Sequence, residues 1–378
     1  MQRAELAAWL RLALTPEIGN TAARRLLAAF GLPKVVFEQP PQSLEQVVSP
    51  ALATALGTQP EHLADQVEAT WRWLEAAQQP GARQVLTLAD SAYPPGLLQT
   101  EDPPLMLYVA GRIPPAWPVG IAVVGSRNPT PQGLGNARQF SRSFAQAGLT
   151  VVSGLALGVD GAAHEGALDG AAAGQIATIA VVGTGLDRVY PRQHLELARR
   201  IAERGLLVSE YPLGTPPLAP NFPRRNRIIS ALSQGTVVVE AALKSGSLIT
   251  ARQAAEQGRE VFAIPGSIHS PQARGCHWLL KQGAKLVESA QDVLEELPLP
   301  QGHQLTGTAH RQDPAATRNE GPEDGLLAAL GFDPVSLDAL VARTGIAPAE
   351  LQARLLEFEL DGEVARLPGG LFQRVAAG

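Results

Sequence analysis

Cysteine is almost absent from this chain of 378 residues, since Cys276 is the single one. One thiol excludes an intrachain disulfide and a cysteine-based zinc cluster, and this usage is typical of a reducing cytoplasm. No apolar run is long enough to cross a bilayer, and charges interrupt residues 1–12, unlike in a signal peptide. The sequence therefore predicts a soluble, cytoplasmic protein with no membrane partner.

The signatures of several common enzyme sites are missing as well. No G-x-G-x-x-G spacing and no Gly-Lys-Ser/Thr triplet occurs, so we expect neither nicotinamide dinucleotide binding nor P-loop ATP hydrolysis. Ser153 does not lie in a G-x-S-x-G elbow, and the chain has no H-E-x-x-H motif. His164 lies four residues after Asp160, a spacing that could hold a metal. Most histidines in such positions pack in the protein interior or cap a helix instead. We expect no catalytic residue, no cofactor and no metal.

Positive charge is not in excess, because the formal net charge is −5. Any binding of nucleic acid must therefore come from local clustering of cations. Aromatic residues make up 5% of the chain, whereas hydrophobic residues reach 45% and glycine is frequent. This composition favours an α/β protein rich in small aliphatic residues, and the length favours two or three domains.

The centre of the chain alternates apolar segments with amphipathic ones. The segments of helical spacing include residues 134–147 and 247–257, and the predicted strands are residues 121–125, 150–153, 177–182, 206–209, 236–240 and 260–264. This alternation predicts a parallel sheet with helices on both faces, in which ligands bind beyond the carboxyl ends of the strands. We assign residues 81–297 to this Rossmann-like domain.

Residues 1–80 precede this domain and have helical spacing throughout. Two of the helices are joined by a turn that contains Ile18 and Gly19. The hairpin is similar to SAM-like or helix-hairpin-helix units, some of which hold DNA phosphates on backbone amides. Such hairpins are also ordinary packing units, and this one lacks the second loop glycine usual in DNA-binding versions. We favour a structural role for residues 1–80.

The last part of the chain has a different composition. Residues 298–323 contain almost no apolar side chain, which predicts a flexible linker. Residues 324–378 have the spacing of three helices followed by a β-hairpin, and this pattern predicts a winged-helix module. Its third helix, residues 349–361, carries four acidic side chains against Arg354, so phosphates would be repelled. Binding of a protein partner or a structural role is therefore favoured for this module.

Three polar segments follow predicted strands at one edge of the sheet, where they would lie close together. Backbone amides at helix starts and arginine forks bind oxyanions, and an aromatic ring can stack on a base. The segments contribute these candidates: Gly125, Ser126 and Arg127; Phe222, Arg225, Asn226 and Arg227; Lys244, Ser245, Gly246 and Ser247.

A purely structural interpretation of these segments is also open. The arginines could pair with Glu210 and Glu240 and merely fix their loop, and Ser247 could simply cap a helix. The convergence of three such segments at one sheet edge favours a ligand, and a phosphodiester strand could thread through all of them.

The order of short motifs resembles that of the DNA-processing protein A family, also called DprA or Smf. The resemblance covers residues 93–284, about half of the chain. The motifs are YPPGL (93–97), DPPL (102–105), VVGSR (123–127), VSGLALG (152–158), GTGLD (183–187), SEYP (209–212), FPRRNRI (222–228), SGSLIT (245–250) and AIPG (263–266).

The resemblance implies an extended Rossmann-like domain that binds single-stranded DNA. Such a protein protects incoming DNA and loads it with the recombinase RecA during natural transformation, as a homodimer without established catalysis. By position, Arg127, Phe222, Arg225, Asn226 and Arg227 would contact DNA, and Lys244 is a further candidate.

Two positions depart from the pattern of the family. His194 and His277 stand where asparagine is usual, which leaves the contribution of their loops open.

Two other functions are kept as alternatives. The core, with Glu240 and a Ser-Gly-Ser helix start, is also similar, more distantly, to lysine-decarboxylase-like nucleotide phosphoribohydrolases. Their Pro-Gly-Gly-x-Gly-Thr loop is absent here. A transcription regulator that acts through the winged helix is the other alternative, and the acidity of its third helix argues against it.

Overall fold

The computed structural model describes residues 1–77, 82–298, 325–332 and 334–375. Its largest feature is a nine-stranded sheet with the order β1-β2-β6-β5-β4-β3-β7-β8-β9. The strands are β1 (Arg83–Thr87), β2 (Met106–Gly111), β3 (Gly120–Val124), β4 (Thr150–Ser153), β5 (Thr178–Val181), β6 (Leu206–Ser209), β7 (Gly235–Val238), β8 (Glu260–Ala263) and β9 (Lys285–Leu286). From β6 to β9 all neighbouring strands are parallel.

This sheet confirms the predicted α/β class and all six predicted strands. β1 and β2 had no counterpart in the prediction; they pair antiparallel with each other, and β2 pairs antiparallel with β6. They precede the alternating region, so the βαβ rhythm gave no signal for them. The edge strand β9 was not predicted either, because its two residues are too few to form a recognisable apolar pattern.

Helices cover both faces of the sheet and lie at both ends of the described chain. In the first part they are α1 (Arg3–Leu14), α2 (Asn20–Phe30), α3 (Pro33–Phe37), α4 (Pro41–Leu44), α5 (Pro50–Gly57), α6 (Leu63–Glu75) and α7 (Pro95–Leu98). Around the sheet they are α8 (Pro131–Gln146), α9 (Val159–Gly170), α10 (Leu195–Arg204), α11 (Asn221–Ala231), α12 (Ser247–Glu256), α13 (Arg274–Lys281) and α14 (Ala290–Glu296), with a 3-10 turn at Arg192–His194.

Alternate residues of the central strand β3 enter two different cores. Ile121 and Val123 pack with Phe144 of α8, whereas Ala122 and Val124 pack with Ile228 of α11. Every residue of β3 is buried, as expected for a parallel strand with helices on both faces. Helices α8 and α11 therefore pack on opposite faces of the sheet at β3.

The N-terminal helices share a core with the antiparallel end of the sheet. Trp9, Leu10 and Leu26 belong to the same buried cluster as Met106 and Tyr108 of β2. The helices thus pack directly on the first strands of the sheet. The boundary that we place near residue 80 stays a prediction.

The C-terminal elements have the winged-helix pattern that the sequence predicts. They are α15 (Gly325–Leu330), α16 (Leu337–Thr344), α17 (Pro348–Leu360), β10 (Val335–Ser336), β11 (Val364–Leu367) and β12 (Leu371–Arg374), and the sheet order is β10-β12-β11. Leu340, Leu351 and Phe372 lie in their common core. The predicted linker falls almost wholly outside the described residues. Among those residues, no helix has both the length and the apolar character needed to cross a membrane.

Candidate nucleic-acid interface

A cavity of about 540 Å³ lies beyond the carboxyl ends of β3 and β7. β3 pairs with β4 on one side and β7 on the other, so the chain leaves these two strands in opposite directions. Such a switch point opens a crevice in a parallel sheet. The lining includes every predicted site residue except Arg227: Gly125, Ser126, Arg127, Phe222, Arg225, Asn226, Lys244, Ser245, Gly246 and Ser247.

The loop after β3 is held tightly below its exposed arginine. The Ser126 amide donates to the Glu240 carbonyl at 2.7 Å, and the Ser126 hydroxyl accepts from the Asn128 amide at 3.1 Å. A Cβ on Gly125 would lie 2.7 Å from Val159 Cγ2, so only glycine fits at this position. Arg127 itself is exposed and lines the cavity.

The start of α8 does not offer the anion site that we expected from its amides. The Glu240 carboxylate lies there instead, accepting from the Thr130 amide at 2.9 Å and from the Thr130 hydroxyl at 2.6 Å. Burial raises the pKa of Glu240, and the two bonds from Thr130 oppose that shift. Glu240 does not line the cavity, so this residue, which the phosphoribohydrolase alternative invokes, lies outside it; the acid among the lining residues is the buried Asp160.

The start of α12 lines the cavity. The helix begins at Ser247, and its N-cap Gly246 supplies no side chain, so Ser247 is not the cap. The hydroxyls of Ser245 and Ser247 lie 2.7 Å apart. Lys244 is exposed beside them and also lines the cavity. Amides, hydroxyls and an ammonium group therefore converge at this helix start, an arrangement that suits an anion.

Arg225 lies at the floor of the cavity and is 4% exposed. Its guanidinium donates to the Gly154 carbonyl at 2.7 Å and to the Val181 carbonyl. Burial lowers the pKa of Arg225 to about 10, while Asp160 opposes that shift, so the group stays charged at neutral pH. Arg225 therefore binds carbonyls of the protein, whereas Arg127 and Lys244 extend into solvent.

Arg227 points away from the cavity. Its guanidinium forms an ion pair with Glu210 and donates to the Asp102 carbonyl at 2.6 Å. The Asp102 carboxylate also accepts from Arg24 of α2 at 3.0 Å. The interpretation in which arginines fix their loop thus describes Arg227, and its predicted contact with DNA stays a prediction.

Aromatic rings lie at the rim beside Arg127. The Arg127 guanidinium lies 5.6 Å from the centroid of the Phe222 ring, within cation–π range. The Tyr190 ring, which the sequence reasoning did not select, lies 5.7 Å from Phe222. Its signals in the sequence were the Tyr190-Pro191 pair, which belongs to the pattern of the family, and its place in the loop after β5, at the same edge of the sheet.

Three histidines that the sequence singles out form hydrogen bonds within the protein. The fully buried His164 lies 2.7 Å from the Thr178 hydroxyl and accepts from the Leu155 amide, and burial lowers its pKa to about 3. Of the two departures from the family pattern, His194 bonds the Leu155 carbonyl at 3.0 Å and His277 bonds the Gly266 carbonyl at 2.9 Å. Within the described residues, no group of histidines and acids has the geometry of a metal site.

Comparison with known proteins gives two family matches. Residues 84–298 match the model of DNA recombination-mediator protein A, and residues 310–370 match the DprA winged helix domain. Protein Smf of Escherichia coli is 46% identical over 313 residues, which cover 80% of each chain. Protein Smf of Synechocystis is 35% identical over 99% of this chain and 100% of its own.

Two solved structures are similar in fold and in sequence. The chain matches DNA processing protein A of Streptococcus pneumoniae with a TM-score of 0.65 and 35% identity, over 79% of this chain and 99% of that one. It matches the protein from Helicobacter pylori with a TM-score of 0.50 and 32% identity, over 56% and 94%. The latter was described for its single-stranded DNA binding mode.

Proposed function

The chain belongs to the DNA recombination-mediator protein A family, and on that premise we propose that it binds single-stranded DNA in the cavity beyond β3 and β7. The observation that carries this proposal is the position of two exposed cations, Arg127 and Lys244, on one cavity of a chain with net charge −5. The Helicobacter pylori relative, described for binding single-stranded DNA, supports the choice of ligand.

The cavity favours contacts to the DNA backbone. Arg127, Lys244 and the start of α12 bind phosphates, and Phe222 offers its ring to a base. Arg225 holds the floor of the cavity in place through the carbonyls of Gly154 and Val181. Contacts of this kind recognise a backbone and not a sequence, so binding has weak sequence preference.

We further propose that the protein protects incoming DNA and loads RecA onto it in the cytoplasm during natural transformation. Family membership supports this role. A second copy of the chain is part of the proposal, because exposed apolar side chains at Leu243, Ile249 and Trp278 border a shallow pocket beside Lys244. A dimer would align two cavities and raise the avidity for longer strands.

No catalytic step is proposed. Glu240, a feature of the likeness to phosphoribohydrolases, accepts from Thr130 at the start of α8 and does not line the cavity. Incubation with nucleoside monophosphates should release no free base, and release that disappears in Glu240→Gln would contradict this part of the proposal.

Binding is tested with the full chain by fluorescence anisotropy. A labelled oligothymidine and a duplex of equal length are titrated over a series of salt concentrations. We expect tighter binding of the single strand and a steep fall in affinity with salt, because phosphate contacts release counterions. Salt-insensitive binding, or tighter binding of the duplex, would contradict the proposal. A preference for one duplex sequence would instead support the alternative of a transcription regulator.

A further inference from the structure

Tyr190 is unusual among the four tyrosines of the chain. The hydroxyls of the other three lie within hydrogen-bond distance of other groups of the protein: Tyr93 donates to the Pro104 carbonyl at 2.7 Å, Tyr211 donates to the Asn221 carbonyl at 3.1 Å, and Tyr108 lies 3.5 Å from the Thr70 hydroxyl. Tyr190 is instead 47% exposed. Its ring is therefore open to contact with a partner from outside the chain.

The position of Tyr190 is set by the ring beside it. Its centroid lies 5.7 Å from that of Phe222, and the two planes meet at 39°. Phe222 rests on Gly183, where a Cβ would lie 3.1 Å from its ring. Phe222 is therefore fixed against the loop that follows β5, and Tyr190 extends the aromatic surface outward from the cavity.

Arg127, one of the two exposed cations of the cavity, lies at the inner end of this aromatic surface. The Arg127 guanidinium is 5.6 Å from the Phe222 ring, so a phosphate bound by Arg127 would have its nucleotide beside the two rings. Aromatic rings near a groove for the DNA backbone are the usual means of holding unpaired bases.

We propose that Tyr190 is a further DNA-binding residue, which with Phe222 forms a stacking surface for a base next to the nucleotide held by Arg127. The ligand is an unpaired base of any of the four kinds, because every base has a π face. This inference rests on the proposed binding of single-stranded DNA and adds a contact outside the cavity.

The test compares two ligands and three forms of the full-length protein. The ligands are oligothymidine and an oligonucleotide of the same length whose sugars carry no bases, and the proteins are the wild type, Tyr190→Ala and Tyr190→Phe. For oligothymidine, Tyr190→Ala should weaken binding about tenfold, which corresponds to about 1.4 kcal/mol. Tyr190→Phe should bind like the wild type, since stacking needs the ring and not the hydroxyl.

The base-free ligand separates stacking from a structural effect. On it, Tyr190→Ala should bind as tightly as the wild type, because the backbone contacts of Arg127 and Lys244 are unchanged. An equal loss on both ligands, or unchanged affinity for oligothymidine, would overturn the role of Tyr190.

A comparison with Lys244→Ala keeps this proposal apart from the proposed function. If Lys244→Ala binds oligothymidine weakly while Tyr190→Ala binds like the wild type, only the stacking role fails. If the wild type itself does not bind oligothymidine, the proposed function fails and the stacking role fails with it.

Discussion

Arg227 and Glu210 form an ion pair away from the cavity, with side chains that are 11% and 7% exposed. Glu210 follows β6 and Arg227 lies on α11, so the pair fastens the helix that carries Phe222 and Arg225 to the sheet. Burial raises the pKa of Glu210, and Arg227 opposes that shift. Within the described residues, Glu210 Oε1 and Arg227 Nε have no hydrogen-bond partner, so the pair is not fully bonded.

Glu210→Gln should therefore destabilise the fold. Loss of the Glu210 charge leaves Arg227 with the more distant Asp102 carboxylate, 3.8 Å away, as its ion-pair partner. Breaking a buried pair in this way costs up to about 3 kcal/mol in the free energy of unfolding. Urea denaturation measures the change. Arg199→Ala is the matched control, because its pair with Glu196 is 65% and 73% exposed and should contribute nothing measurable. Equal midpoints for Glu210→Gln and the wild type would contradict the expectation.

Removal of one exposed cation of the cavity should change the salt dependence of binding. For Lys244→Ala and for Arg127→Ala we expect weaker binding of oligothymidine and a slope of log K against log salt that is smaller by about 0.7, since each substitution removes one phosphate contact. Anisotropy titrations at several salt concentrations give this slope.

Lys34→Ala is the control for charge alone. Lys34 lies on α3 with its side chain 83% exposed, and it does not line the cavity. The substitution Lys34→Ala should therefore leave the slope of log K against log salt unchanged from that of the wild type. The same change of slope in all three variants would mean that net charge, and not the cavity, determines the affinity.

Two glycines of α8 should respond in opposite directions to alanine. A Cβ on Gly133 would lie 2.6 Å from Glu240 Oε1, whereas a Cβ on Gly135 would meet no atom within 4 Å. Gly133→Ala should displace the Glu240 carboxylate and lower the melting temperature. Gly135→Ala should stabilise the helix by up to about 1 kcal/mol, because alanine restricts the unfolded chain more than glycine does. Thermal unfolding followed by circular dichroism measures both, and the same sign for both variants would refute this account of Gly133.

His164 should make a contribution to stability that is lost as the pH falls below about 6.5. The folded state holds His164 neutral, with a pKa of about 3, while the unfolded chain protonates it near 6.5. Between these values the unfolded state binds more protons, so acidification favours unfolding by up to about 1.4 kcal/mol per pH unit. Arg225 and the neighbouring His194 reinforce this shift.

Urea denaturation at pH 7.5 and pH 5.5 tests the role of His164. His164→Gln should be less stable than the wild type at pH 7.5 but should depend less on pH, since glutamine does not titrate. An undiminished pH dependence in this variant would assign the effect to another group.

The convergence of the three polar segments was predictable, because the carboxyl ends of parallel strands meet at one edge of a sheet. The difference between Arg225 and Arg227 of α11 was harder to see. Arg225 has the helical spacing of the buried Ile228 and Ile229, and this was a signal that its side chain faces inward. The partner of Arg227, by contrast, lies 17 residues away on another element. The spacing of residues along the sequence does not show that Glu210 and Arg227 meet, because they come together only when the sheet has folded.

The carboxylate of Glu240 has a consequence for what this kind of fold can bind. In dinucleotide enzymes of Rossmann type, the pyrophosphate rests on the first turn of the helix after the first parallel strand, which is the position of α8. Here the carboxyl group of Glu240 already accepts from Thr130 at that turn, so it occupies donors that a cofactor's diphosphate would need. The turn that binds the diphosphate in those enzymes is thus occupied by a side chain of the protein, and the anion contacts that we propose lie at the start of α12 instead.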